Sequence, residues 1–372
     1  QICSLRPQED KLSFSIIINF NTNNKINSVW MGKGVINSNQ RFTYNEVENI
    51  IQQREGQFSV EILALNNIAS ELKSSRINSG SIDFQRKDIK FELNQHNEPT
   101  KVTQTQTLGS QSLVEELMLL ANKLVATKLK KLKTSLYRVH DLPDPSKIKE
   151  IGNYLNMNNL KSGKNKINLP NKNLHVFINK LLAQKEKNIN HSIIENLILR
   201  AMAKAKYSTK NIGHYGLGFE YYTHFTSPIR RYADLIIHRL LDSSLKKKEL
   251  NLLDLEKQCV HFSSIERVYL DVERKINKFI QLKLLENKIG CTFTGFISGL
   301  QKWGIYVELE DGQGEGLIGI NKIGQDNYYY NDSLHSIIGR KSGEKYTLGQ
   351  EVSVEIKSVD LFKQELDLAF AF

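Results

Sequence analysis

The chain is poor in cysteine, proline and tryptophan: its 372 residues include three cysteines, six prolines and two tryptophans. Cys3, Cys259 and Cys291 are odd in number and never spaced as CxxC, which argues against a disulfide framework and against a zinc site. No run of about 18 apolar residues occurs, so no membrane span is predicted. Nothing at the N-terminus resembles a signal peptide. These absences together predict a reduced, cytoplasmic protein.

Acidic residues are outnumbered by basic ones. Lys and Arg total 51 and Asp and Glu total 40, which gives a formal net charge of +11. This surplus predicts a polyanionic partner, either a nucleic acid or an anionic membrane surface. A hydrophobic content of 40% is enough for a full core in a chain of this length and predicts two domains.

The larger, N-terminal part of the chain mixes strand and helix patterns. Leu12–Phe20 is apolar and β-branched and precedes an Asn-rich turn at Asn21–Lys25, which predicts a β-hairpin. Thr43 and Glu46 have capping-box spacing and predict a helix start. Apolar spacing predicts further elements: short strands over Ser79–Leu93, helices over Ser112–Leu132, Ser192–Tyr207 and Leu253–Leu285, and a solvated loop over Lys161–Lys172. From Cys291 onward, short alternating strands punctuated by glycine predict a small β-barrel, with a domain boundary near Asn287.

The stretch that most clearly suggests a binding site is His224-Phe225-Thr226-Ser227-Pro228-Ile229-Arg230-Arg231-Tyr232-Ala233-Asp234. Ser227 suits a helix N-cap and Pro228 suits the first helical position. Arg230 and Arg231 then fall in the first turn, where the helix dipole favours anions. A phosphate bound between these side chains and the backbone N–H groups would explain two arginines there.

A structural interpretation of the same stretch stays open. Arg230, Asp234 and His238 are spaced i, i+4, i+8 and would form a salt-bridge ladder on one helix face. Glu115 and Asn122 lie seven residues apart on the helix predicted over Ser112–Leu132, where the plainest interpretation is a solvated flank.

Carboxylates are not grouped as a hard metal ion requires. Asp141 and Asp144 lie in a Pro-rich turn, Asp254 and Asp271 are isolated, and no Asp-Asp pair occurs. The sequence therefore predicts no metal site within these residues.

Two sets of segments carry a family resemblance. Gly213–Gly218 and Thr226–Arg239 resemble the signature of the ribonuclease II and ribonuclease R (RNB) exoribonucleases, most of all the ribonuclease R type. Thr292–Phe296, Trp303–Val307 and Glu315–Ile318 resemble the S1 RNA-binding domain, an OB-fold. The resemblance implies an α+β fold. Residues 1–286 would be the C-terminal portion of an RNB catalytic domain, a mixed sheet with packed helices, and 287–372 an S1 β-barrel.

The resemblance implies roles for residues of the catalytic portion. Arg230 would be the catalytic arginine that binds the phosphate near the scissile bond, and its bidentate fork suits a pentacovalent phosphorane. Thr226, Ser227 and Arg231 would bind RNA beside it. His214 and His224 are expected to be structural, because the chemistry implied uses a metal-activated water.

Three further residues are implied to bind the 3′ end of RNA. Glu115 would accept a hydrogen bond from a ribose hydroxyl, the group that separates RNA from DNA, and Tyr44 would assist it. Phe84 would stack on the terminal bases. Packing remains the alternative for Tyr44, and a buried strand phenylalanine would look the same as Phe84.

In the barrel, the resemblance implies that Phe296, Trp303 and Tyr306 stack on bases while Lys302 contacts the RNA backbone. Core packing is the alternative for each aromatic residue. Phe293 and Val307 are expected in the core.

The activity implied is that of a 3′-to-5′ exoribonuclease, a monomer that hydrolyses single-stranded RNA with a free 3′ end processively to nucleoside 5′-monophosphates in RNA degradation. The family uses Mg²⁺ ions held by an aspartate cluster, which in relatives precedes the segment matching Cys3-Ser4-Leu5. The first residue is Gln1, so the chain is expected to begin inside a larger protein and to be inactive alone. The alternative is a non-catalytic RNA-binding fragment or subunit whose partner supplies the metal site. A translation or transcription factor built on an S1 barrel would leave Thr226–Arg239 unexplained.

Overall fold

The computed structural model describes residues 3–84, 87–132, 134–157, 174–183, 191–248, 250, 254–331 and 336–371. By its internal contacts the chain divides into two compact units. The first unit comprises Gln1–Asp83, Thr107–Leu142 and Ala203–Glu266, and the second comprises Phe84–Gln106, Pro143–Met202 and Arg267–Phe372. Each of these units is built from three separate segments, whereas the sequence predicts one boundary near Asn287. That boundary stays a prediction.

Helices and strands are mixed as far as Glu286, and the elements after it are mainly strands. The helices are α1 (Tyr44–Gln53), α2 (Ser59–Asn78), α3 (Gly109–Leu129), α4 (Pro145–Met157), α5 (Leu174–Ala183), α6 (His191–Ala201), α7 (Tyr232–Leu245) and α8 (Leu255–Glu286). The strands are β1 (Asp10–Phe20), β2 (Ile26–Asn37), β3 (Lys87–Leu93), β4 (Pro99–Gln106), β5 (Tyr137–Val139), β6 (Lys206–Ser208), β7 (Thr292–Gln301), β8 (Gly304–Leu309), β9 (Glu315–Gly319), β10 (Tyr328–Asn331), β11 (Ser336–Gly339), β12 (Lys345–Thr347), β13 (Glu351–Asp360) and β14 (Glu365–Phe370).

The first unit begins with the predicted hairpin. β1 and β2 pair antiparallel, and the turn between them is held by Asn21, whose Oδ1 accepts the amides of Asn23 and Lys25 at 3.0 and 2.9 Å. An asparagine side chain that bonds nearby amides in this way is a common reason for Asn in turns. Phe14 and Ile16 pack against the buried cluster formed chiefly by α3, α7 and the start of α8. The hairpin prediction is confirmed.

Capping contacts fix the starts of α1 and α3. The Glu46 amide donates to Thr43 Oγ1 at 3.3 Å and the Thr43 amide donates to Glu46 Oε2 at 2.6 Å, which confirms the predicted capping box. Glu48 of α1 accepts the Ser110 amide at 2.8 Å, so its carboxylate caps the N-terminus of α3. Helix α1 therefore orients the helix that carries Glu115.

Two predicted elements differ from the structure. Residues 79–84 form no strand, because the Ile82 amide bonds the Gly216 carbonyl instead, and β3 starts at Lys87 and pairs with β4. The helix predicted to Tyr207 ends at Ala201, and Lys206–Ser208 pairs with β5 as β6. Helix α8 forms as predicted. The loop predicted over Lys161–Lys172 lies outside the described residues.

The second unit contains the predicted barrel. Strands pair in the closed order β13-β14-β9-β8-β7, with β14 parallel to β9 and the other neighbours antiparallel. Its interior is fully buried and aliphatic, with Ile297, Ile305, Val307, Ile318, Val354, Ile356 and Leu368. β10, β11 and β12 form a separate three-stranded sheet inserted in the sequence between β9 and β13. Gly304 starts β8 at φ +155°, where a Cβ would collide with the Ile318 carbonyl, so only glycine fits.

No helix in the described part of the chain is both long and apolar enough to cross a bilayer.

Candidate nucleic-acid interface

The segment before α7 differs from its prediction. Helix α7 starts at Tyr232, its N-cap is Arg231 with extended backbone, and the Arg231 amide bonds the Ser227 carbonyl at 3.1 Å to close a turn. Ser227 is therefore not an N-cap, Pro228 is not the first helical residue, and the two arginines lie ahead of the helix. The physical reason is Asp234, whose Oδ1 accepts the Ser227 amide at 2.8 Å and ties the turn back onto α7.

The two arginines have different surroundings. Nη2 of Arg231 donates to Oδ1 of Asp234 at 2.8 Å, and the two side chains are 20% and 0% exposed. Arg230 is exposed, and its Nη2 lies 3.5 Å from the Ser227 hydroxyl. Within the described residues it pairs with no carboxylate. The predicted Arg230–Asp234 ladder is wrong, and within the described residues no carboxylate compensates the charge of Arg230.

Buried hydrogen bonds hold the segment that leads into this turn. Asn122 of α3 accepts the Phe225 amide at 2.8 Å and donates to the Tyr222 hydroxyl at 3.2 Å. Asn122 is therefore buried, and its prediction as part of a solvated flank was wrong. His238 of α7 stacks on Phe225 with centroids 4.3 Å apart and hydrogen-bonds its carbonyl at 2.8 Å. α3 and α7 together hold the turn in one position.

Several polar atoms at the turn have no partner among the described residues. Thr226 Oγ1, Arg231 Nε and Asp234 Oδ2 are buried without a hydrogen bond. Buried polar groups in native proteins are nearly always hydrogen-bonded to protein or to water, so these three atoms distinguish the turn from the satisfied contacts around it.

Burial lowers the pKa values of the neighbouring histidines and favours their neutral forms. Burial, followed by the nearby His140, lowers the pKa of His214 to about 3. Burial, followed by Arg231, lowers the pKa of His224 well below its usual value, and this ring hydrogen-bonds the Tyr207 hydroxyl at 2.8 Å. His140 Nδ1 accepts the Gly216 amide at 2.9 Å, so Nε2 carries the proton toward the Ala203 carbonyl. These contacts agree with the structural role expected of His214 and His224.

The residues implied to bind the 3′ end lie in different places. Glu115 is an exposed residue of α3, and Tyr44, 49% exposed, is the first residue of α1. The adjacent Glu116 is the buried one: Arg76 donates to both of its oxygens, at distances down to 2.5 Å. This pair fixes α2 to α3 while Glu115 stays at the surface. Phe84 is half-buried and belongs to the second unit.

The barrel presents one aromatic face. Trp303 is 56% exposed, and its indole N–H donates to the Tyr306 hydroxyl at 3.0 Å. A Cβ on Gly299 would contact Tyr306 at 3.4 Å, so the tyrosine lies over glycine backbone. Phe296 is half-buried and Lys302 is exposed. Core packing does not account for Trp303, whereas Val307 is fully buried and Phe293 packs against the barrel core as expected.

No group of three or more His, Cys, Asp or Glu side chains within the described ranges could hold a metal ion. The part of the chain that the structure describes therefore offers no side-chain cluster of the kind that a hard divalent cation requires.

Comparisons with known proteins assign the family. The family model for the RNB domain matches residues 1–247, and that for the S1 RNA binding domain matches residues 286–370. The chain belongs to the RNB family. Ribonuclease R of Aquifex aeolicus is 32% identical over 371 residues, which are 97% of this chain and 52% of that protein. The RNB chain thus spans about half the length of the curated relatives it matches.

Solved structures agree with this assignment. Mycoplasma genitalium RNase R in complex with ribose methylated single-stranded RNA matches with a TM-score of 0.90 at 27% identity, covering 100% of this chain and 59% of that one. The same protein with double-stranded RNA matches with a TM-score of 0.81 at 25% identity, covering 100% and 62%. The predicted fold, an α+β RNB portion followed by an S1 barrel, is confirmed.

The roles of Asp234 and Asn122 in holding the turn were not predicted from the sequence. Asp234 follows Arg231 by three residues, a spacing that suits an ion pair around a turn as well as a helical pair. Asn122 interrupts an apolar stripe, and a polar residue in such a stripe signals a buried hydrogen bond.

Proposed function

We propose that this chain is part of a ribonuclease R-type 3′-to-5′ exoribonuclease, which hydrolyses single-stranded RNA processively to nucleoside 5′-monophosphates in RNA degradation. The observation that carries the proposal is the exposed Arg230, which has no carboxylate partner in the described residues and projects from a turn held by buried Asp234. An RNB match over residues 1–247 supports the same activity.

Arg230 binds the phosphate next to the scissile bond in this proposal. A guanidinium offers two parallel N–H donors to a phosphate and stays charged at any physiological pH. Thr226, Ser227 and Arg231 shape the turn and bind the backbone of the terminal nucleotide. The histidines around it contribute packing and hydrogen bonds, because burial lowers their pKa values and so disfavours the charged imidazolium form near neutral pH.

Residues on α1 and α3 recognise the sugar. Exposed Glu115 accepts the hydrogen bond of a ribose hydroxyl, and Tyr44 assists from the start of α1. Phe84 stacks on a base. In the barrel, Trp303 with Tyr306 and Phe296 forms the stacking surface for single-stranded RNA, and Lys302 contacts a phosphate.

The metal of this reaction is proposed to be Mg²⁺, held in the full-length protein by an aspartate cluster upstream of Gln1. In the described residues no carboxylate group fits that role. We further propose a cytoplasmic monomer that acts on RNA with a free 3′ end.

The test uses the 372-residue chain with single-stranded RNA and Mg²⁺. We expect binding without release of mononucleotides, and binding weakened by Arg230→Ala while Arg274→Ala has no effect. Arg274 is the matched control, because it is an exposed arginine whose guanidinium lies 3.7 Å from Asp271. Robust mononucleotide release would contradict the proposed place of the metal site, and failure to bind RNA would contradict the function.

A second candidate is a non-catalytic RNA-binding subunit whose partner supplies the carboxylates. Like the first candidate, it is consistent with the lack of a metal-binding group in the described residues. The coding sequence upstream of Gln1 separates the two, because an in-frame aspartate cluster supports the nuclease and its absence supports the subunit.

A further inference from the structure

The second half of α3 and the residues after it carry positive charge without any acid. Between Glu116 and Asp141 the sequence holds Lys123, Lys128, Lys130, Lys131, Lys133 and Arg138 and no aspartate or glutamate. Arg138 is neutralised by Glu266, with N–O distances of 2.6 and 3.0 Å. Lys123, Lys128, Lys130 and Lys131 are exposed and form no ion pair with the described residues.

Two of these lysines are ordered by aromatic rings. Nζ of Lys123 lies 5.0 Å from the ring centroid of Phe219, and Nζ of Lys130 lies 5.0 Å from that of Tyr221. The lysines are seven residues apart, which places them on one face of the helix about 10.5 Å apart along its axis. Each ring is half-buried and set by another ring, Phe219 by Tyr222 at 5.6 Å and Tyr221 by Tyr137 at 6.3 Å.

A ring and a carboxylate do different things to a lysine. An aromatic face attracts the ammonium and restricts its motion but leaves the net charge in place. Lys246 and Lys257, by contrast, face Asp242 and Asp254 at 2.8 and 3.2 Å, so their charge is compensated. Lys123 and Lys130 are both ordered and uncompensated, which lowers the entropy lost when they bind a phosphate.

We propose that the lysine–aromatic strip, defined as Lys123 with Phe219 and Lys130 with Tyr221, binds the phosphodiester backbone of single-stranded RNA. Its residues are different from those proposed to bind RNA at the Arg230 turn and on the barrel. It rests on the proposed function only in taking RNA as the ligand. The structural alternative is that the lysine stems merely cover the rings and the helix dipole favours cations at its end, which requires no ligand.

The salt dependence of binding tests the strip. Each phosphate contact to a single strand contributes about 0.7 to the slope of log K against log salt concentration. We expect Lys123→Gln with Lys130→Gln to reduce that slope by about 1.4. The loss of affinity between about 50 and about 200 mM salt then becomes about sevenfold smaller than in the wild type. Binding is measured on a single-stranded oligoribonucleotide in the presence of a chelator, so that no strand is cut.

Lys246→Gln with Lys257→Gln is the matched control, because it removes the same net charge from lysines that already have carboxylate partners. We expect its slope to equal that of the wild type. Equal slopes for the two double variants would overturn the proposal that the strip binds RNA and would leave the proposed function standing. A wild-type chain that binds no RNA would overturn both. Thermal unfolding of each variant checks that the fold is retained.

Discussion

Replacing Asp234 tests whether one buried carboxylate holds the turn that carries Arg230. Its Oδ1 accepts the Ser227 amide and Nη2 of Arg231, both at 2.8 Å. In Asp234→Ala the Arg231 guanidinium stays largely buried but loses its counter-charge. Breaking one side of a buried ion pair costs about 3–5 kcal/mol. Because Arg231 is 20% exposed and water reaches part of it, we expect the lower end, about 3 kcal/mol of unfolding free energy.

Asp234→Asn is the matched variant, because its amide oxygen still accepts the Ser227 amide while the charge is lost. We expect about half the effect, about 1.5 kcal/mol, as a neutral hydrogen bond is about half as strong as a charge-assisted one. Urea denaturation followed by circular dichroism measures both variants, and a double-mutant cycle with Arg231→Gln isolates the pair. A loss below about 1 kcal/mol for Asp234→Ala, the range of surface pairs, would refute the holding role of this carboxylate.

Two further predictions concern the barrel and the buried histidines. Trp303→Ala removes the exposed ring of the barrel face, and fluorescence anisotropy should show single-stranded RNA binding weakened by about 1–3 kcal/mol. Trp303→Phe should keep most of the affinity for RNA. If Trp303→Ala binds RNA as tightly as the wild type, stacking on Trp303 is excluded. Burial holds the pKa of His214 at about 3, so this ring stays neutral when folded but is protonated below about pH 6.5 when unfolded. The contribution of His214 to the unfolding free energy is therefore fully present above about pH 6.5 and is lost as the pH is lowered. Between about pH 7 and about pH 5 the loss from this residue is about 2 kcal/mol. His214→Asn, which can still accept the Leu217 amide, should flatten that slope in urea titrations at the two pH values, and an unchanged slope would contradict the assignment.

Elements whose causes are local could be predicted from the sequence. The Asn21 turn, the Thr43–Glu46 box and the alternating strands of the barrel depend on residues within a few positions of each other, and all are confirmed. The start of α7 could not be predicted in the same way. The sequence favoured a cap at Ser227, but Asp234 and the fixed Phe225 determine where the helix begins.

The same distinction applies to the candidate site. The family signature identifies Arg230, yet only the fold shows that Arg231 is neutralised and Arg230 is not. Asn122 looked solvated because its partners, Tyr222 and Phe225, lie 100 and 103 residues away in the sequence. The pairing of Lys123 and Lys130 with aromatic rings likewise depends on residues about 90 positions away.

The order of strands in the barrel has a consequence for synthesis on the ribosome. β14 fills the gap between β13 and β9, and it is the last strand of the barrel to be made. Until Glu365–Phe370 has left the exit tunnel, β9 and β13 each keep an unpaired edge, and such edges invite pairing with other nascent chains. A message truncated just before Glu365 would therefore yield an aggregating product, even though it encodes Phe296, Trp303 and Tyr306, the aromatic residues proposed to stack on RNA.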